Sequence, residues 1–97
     1  MKVMKSKQDI TLIAADSEIE GSLHFSSQLF VKGKVTGNIS AEEPGATVVV
    51  SPEGLVVGDI RVPNVVINGR LEGNVYADER LEVSAGAEVQ GDLYYSV

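Results

Sequence analysis

The chain has 97 residues and no cysteine, which makes it one domain and excludes disulfides and thiolate metal sites. At 43% hydrophobic and 23% charged its composition is that of an ordinary folded protein, and no stretch approaches the roughly 20 apolar residues that span a bilayer. The net charge of −6 is uneven: Lys2, Lys5 and Lys7 make the start basic, while the remainder, with 5 basic and 14 acidic residues, stands at −9 and disfavours nucleic acid as a partner.

Residues 1–9 carry no repeat and are expected to be a flexible N-terminal tail, with Met1, Val3 and Met4 interleaved among the lysines. This tail is a candidate membrane contact through Met1, Lys2, Val3, Met4, Lys5 and Lys7, each lysine being worth about 1 kcal/mol near an anionic surface. No long apolar run follows the lysines, so no secretory signal is expected and the cytoplasm is the default compartment.

From Thr11 a repeat begins and continues to the end. The phrase glycine, any residue, aliphatic, any residue, glycine, Asn or Asp, aliphatic occurs at residues 33–39, 54–60 and 69–75, with looser copies at 17–23 and 87–93. Aligned on Gly21, Gly37, Gly58, Gly73 and Gly91, the copies are spaced by 16, 21, 15 and 18 residues. Each unit reads as three short extended pieces. The first pairs Thr11/Ile13, Leu29/Val31, Val48/Val50, Val65/Ile67 and Leu81/Val83. The second carries Ile19, Val35, Val56, Leu71 or Val89, and the third pairs Leu23/Phe25, Ile39/Ala41, Ile60/Val62, Val75/Ala77 and Leu93/Tyr95. Alternation of period two turns one face inward, so these residues form the expected core. Burying one of the larger aliphatics is worth about 1.5–3 kcal/mol before chain entropy is set against it.

The corners alternate. Five residues separate Ile13 from Ile19, Val50 from Val56 and Val83 from Val89, but three separate Val31 from Val35 and Ile67 from Leu71. A difference of two keeps every later side chain on its own face. The long spacing of 21 contains Glu42, Glu43, Pro44 and Gly45, placed as a loop at one corner. Units this short cannot bury an apolar face alone and must stack. The expectation is an all-β, single-domain parallel β-helix over residues 10–97, with about five to six triangular coils of 15–18 residues.

The phrases at residues 29–39, 48–60 and 65–75 resemble those of the bactofilins, a family of bacterial polymer-forming cytoskeletal proteins. The resemblance implies a right-handed β-helix that polymerises without nucleotide into nonpolar filaments. It also implies roles at the membrane in cell shape and in localising cell-wall enzymes.

Independently of that resemblance, a β-helix exposes unpaired strand groups and a cut through its core at each end, which natural proteins cap or blunt. The sequence shows no capping helix, proline or lysine in its last seven residues, so self-association into a homopolymer is expected. Leu12, Ile13 and Phe25 are the candidate contacts at one end, and Leu93, Tyr95 and Val97 at the other.

No catalytic, cofactor or metal site is expected. His24, the single histidine, has no ligand-spaced partners. The carboxylates lie on outward positions rather than in a pKa-shifting cleft, and the glycines form no phosphate loop. Two other readings are a hexapeptide-type β-helical acyltransferase and a non-polymerising adaptor domain. The first wants a strict six-residue period, a C-terminal helix and a histidine at an intersubunit cleft, which the alternating corners and His24 in the first coil do not match.

Overall fold

The computed structural model describes residues 3–5, as backbone, and residues 10–95. Strand β1 (Val3–Lys5) precedes five coils of three strands each. The first coil holds β2 (Ile10–Ile13), β3 (Glu18–Glu20) and β4 (Leu23–His24); the second β5 (Gln28–Val31), β6 (Lys34–Thr36) and β7 (Ile39–Ser40). The third holds β8 (Thr47–Val50), β9 (Leu55–Val57) and β10 (Ile60–Arg61), and the fourth β11 (Asn64–Ile67), β12 (Arg70–Glu72) and β13 (Val75–Ala77). The fifth holds β14 (Arg80–Val83), β15 (Glu88–Gln90) and β16 (Leu93–Tyr95).

Equivalent strands of successive coils pair in parallel and make three sheets. Sheet A runs β1-β2-β5-β8-β11-β14, sheet B β3-β6-β9-β12-β15 and sheet C β4-β7-β10-β13-β16. The expected parallel β-helix is therefore the fold, with five coils among the described residues.

The register is that of the sequence repeat. Val65 pairs with Val48 and Leu81, Leu71 with Val56 and Val89, and Ile60 with Ile39 and Val75. Like side chains thus stack into interior ladders, and the central members are fully buried. Of the expected inward residues, Thr11, Leu23, Leu81 and Val89 are half-buried, and Val83, Leu93 and Tyr95 are exposed; the remainder form the core. Ala46 joins the core from the loop that follows Gly45, outside any alternating pair, so periodicity alone could not find it.

The two corner lengths have a structural cause. In the long corners, backbone bonds from Ser17 to Ala14, Gly54 to Ser51 and Ala87 to Ser84 close a turn. The short corner at Gly69 nests against the long corner below it. A Cβ there would strike the carbonyl oxygens of Ser51 and Gly54. At the next corner, Gly58 sits at φ 141°, and a Cβ on it would collide with the carbonyl oxygen of Gly37. Both the torsion and the close approach demand glycine.

A second ladder follows these glycines. Asn38 Oδ1 accepts from the Asp59 N–H at 3.2 Å, Asp59 Oδ1 from Asn74 at 3.0 Å and Asn74 Oδ1 from Asp92 at 3.1 Å. The Asn and Asp of the repeat therefore link coil to coil along the axis, satisfying a backbone donor at each step.

One element departs from the sequence reading. Three residues of the expected flexible tail form β1, which pairs antiparallel with β2 through Val3↔Ile13, Met4↔Leu12 and Lys5↔Thr11. An edge strand offers a row of free N–H and C=O groups, and β1 occupies those of β2. Met1, Lys2 and Lys7 lie outside the described residues.

Candidate assembly interface

The two ends of the helix differ. At the first coil Ile13 is fully buried and Ile19 and Phe25 are 8% and 6% exposed, Thr11 and Leu23 are half-buried, and β1 lies along the sheet A edge. The fifth coil opens instead. The ladder Ile39–Ile60–Val75 is buried throughout and then reaches Leu93 at 42% exposure. The ladder Val31–Val50–Ile67 likewise ends on Val83 at 43%. Tyr95 closes the ladder of Ala77 at 46%, its hydroxyl donating to the Glu79 carbonyl at 3.2 Å.

The candidate contacts thus separate. Leu93 and Tyr95 sit together on the open coil. Ile13 and Phe25 are core residues, and Leu12 faces outward on sheet A, in register with Phe30. Val97 lies outside the described residues, as do Met1, Lys2 and Lys7; Val3, Met4 and Lys5 are placed only as β1.

A column on the outer face of sheet C leads to the same coil. His24 Nδ1 lies 3.2 Å from Ser40 Oγ. The Arg61 guanidinium stands 4.1 Å above the Tyr76 ring, and Tyr76 stacks on Tyr94 with centroids 4.8 Å apart and planes within 5°. That separation matches the distance between paired strands, about 4.8 Å, so the strand register itself holds the rings together. Tyr94 is 48% exposed. The Asp92 carboxylate beside it, together with partial desolvation and the neighbouring Tyr76, raises the Tyr94 pKa above its ordinary 10.0. An open groove of about 750 Å³ runs alongside, lined by Glu42, Arg61, Pro63, Tyr76, Tyr94 and Tyr95.

The sequence alternation puts Tyr94 outward, as found, but names neither Tyr94 nor Val83 as a contact, and it places Val83 inward where the structure exposes it. Val83 occupies an inward position in the alternation, and only its place on the last described strand of sheet A exposes it. The Arg61–Tyr76–Tyr94 column was legible in principle, because equal offsets from Gly58, Gly73 and Gly91 align the three residues. Among the described residues, no group of three or more His, Cys, Asp or Glu side chains could hold a metal ion, and no helix is long and apolar enough to cross a membrane.

Five coils built from one short repeat and paired through three parallel sheets define the class of β-solenoid repeat proteins. Comparison with known proteins makes this specific: a family model described as bactofilin, polymer-forming cytoskeletal, matches residues 11–97, and the chain belongs to that family. It is 34% identical to bactofilin BacO of Myxococcus xanthus strain DK1622 over 83 residues, covering 86% of this chain and 64% of BacO. It is 30% identical to bactofilin BacP of the same strain over 88 residues, covering 91% of this chain and 35% of BacP. The chain thus spans less than two thirds of the length of these curated relatives. No solved structure matches it.

Proposed function

We propose that this polymer-forming cytoskeletal chain assembles end to end, through its fifth coil, into nonpolar filaments that need no nucleotide and that scaffold cell-shape or cell-wall machinery. The observation that carries the reading is the exposure of the inward residues Val83, Leu93 and Tyr95 on the fifth coil, at 42–46%, while their ladder partners Ile67, Val75 and Ala77 in the fourth coil are buried. A second copy would return those side chains to an interior and would occupy the strand edges of β14, β15 and β16. Two fifth coils meeting face to face form an isologous contact. That contact alone closes a dimer, and a filament without polarity needs a second isologous contact between two first coils, where β1 and Leu12 lie.

The same proposal places the filament in the cytoplasm, at the inner face of the membrane. Lys2, Lys5 and Lys7 support that placement, because a polymer repeats a weak basic contact many times and multiplies its strength. Cell-wall enzymes are its proposed cargo.

Electron microscopy of the purified chain with and without ATP, GTP and magnesium tests the reading. Filaments of equal abundance in every condition are expected. A monodisperse monomer or compact trimer in all of them would refute it.

A further inference from the structure

The three outer faces of this acidic molecule are not equally charged. Sheet B carries Glu18, Lys34, Arg70 and Glu88 along one row, cross-linked by Lys34–Glu18 at 3.7 Å and Arg70–Glu88 at 3.1 Å. Sheet C carries Arg61 and the tyrosine column. In sheet A, strands β2, β5, β8 and β11 contain no charged residue, while Lys5 lies on the edge strand β1. The charges of β14, Arg80 and Glu82, pair with each other at 2.6 Å.

The neutral face is also apolar along one line. Leu12 pairs with Phe30, Phe30 with Val49 and Val49 with Val66, all pointing outward between buried neighbours. These four side chains form an external ladder parallel to the helix axis. Each is half-buried, because strand neighbours about 4.8 Å away shield its flanks and leave the tip bare. Gln28, Thr47 and Asn64 flank the ladder with uncharged hydrogen-bonding groups.

We infer that sheet A is a lateral interface whose occupant is the sheet A of a second copy, so that filaments form back-to-back pairs. Charge selects the partner. The chain beyond its first seven residues stands at −9, and among the described strands of sheet A the one acid, Glu82, is paired with Arg80, so two copies approach with least repulsion through the four uncharged strands of this sheet. Shape agrees: a flush, flat ladder suits another sheet packed about 10 Å away, whereas a lipid surface favours protruding aromatic anchors. Four strands of four residues cover roughly 250 Å² per copy, well below the approximately 800 Å² per partner of a stable complex. Isolated chains therefore do not pair through this face, but a filament repeats the contact at every subunit and becomes stable through avidity. The inference rests on the end-to-end polymer proposed above.

Mass per length of filaments, measured by scanning transmission electron microscopy, tests it with the wild type, Val49→Lys and Val66→Glu. Paired wild-type filaments are expected, with a twofold drop to single filaments in both variants and an unchanged β-sheet circular dichroism spectrum. Because the chain lacks cysteine, Val49→Cys supplies a second readout: a short bis-maleimide should link it into dimers within filaments, while Glu88→Cys should not link. Single wild-type filaments, or paired filaments that persist in both lysine and glutamate variants, would overturn the inference and leave the end-to-end polymer standing. So would loss of binding to anionic phosphatidylglycerol vesicles in both variants, the added lysine included, with unchanged mass per length, which would assign the face to lipid. Absence of any filament would instead refute the polymer, and the inference with it.

Discussion

The ring of Tyr94 lies 4.8 Å from that of Tyr76 and within 5° of parallel, at the point where the last described strand of sheet C ends. Arg61 covers the other side of Tyr76 at 4.1 Å. The register of three parallel strands thus converts single residues of three repeats into one continuous column, and the column ends on the coil whose core is open.

Tyr94 should ionise above pH 10.0, chiefly because the Asp92 charge opposes a second negative charge beside it. The folded chain then holds this proton more tightly than the unfolded chain. The resulting contribution to stability is intact below the ordinary tyrosine pKa and is lost as pH rises through the raised value. Ultraviolet titration should show Tyr94 ionising above 10.0, and Asp92→Asn should bring it back toward that value. A titration unchanged by Asp92→Asn would mean that Asp92 does not set it.

Gly58→Ala should destabilise the fold by about 2–4 kcal/mol, since it combines a left-handed torsion with a backbone collision against Gly37. Gly86→Ala is the internal control. No atom would lie within 4 Å of its new Cβ and its torsion is ordinary, so it should change stability by less than about 1 kcal/mol. Thermal melts of both variants check the pair. Equal melting temperatures would contradict the nested-corner account.

The interior ladders predict a gradient. Leu71→Ala, at a fully buried site in the fourth coil, should cost about 2–5 kcal/mol. Leu93→Ala, at 42% exposure, should cost the monomer much less, because solvent already reaches the site. Chemical denaturation of dilute protein measures both.

These positions also show what could be read from the chain alone. The parallel coils, their register and the core were legible because period-two alternation and the two-residue difference between corners constrain each other. Val65, Leu71 and Ile60 fall where expected for that reason. The character of the ends was not legible. Ile13 and Val83 occupy equivalent places in the repeat, yet Ile13 is fully buried beside the antiparallel β1 and Val83 is 43% exposed. A repeat describes what its units share, whereas exposure at the ends depends on what lies beyond the repeat. Leu12, a candidate contact at the first coil, does lie on that coil and points outward on sheet A in register with Phe30.

The most direct test of the account is assembly of Leu93→Lys, read by sedimentation and electron microscopy beside its thermal melt. Leu93 stands 42% exposed on the open coil, so a lysine there should leave the monomer folded while burying a charge in any fifth-coil contact. The account predicts a folded protein that stays in the supernatant and forms no long filaments. Filaments of wild-type length and abundance from the folded variant would contradict it.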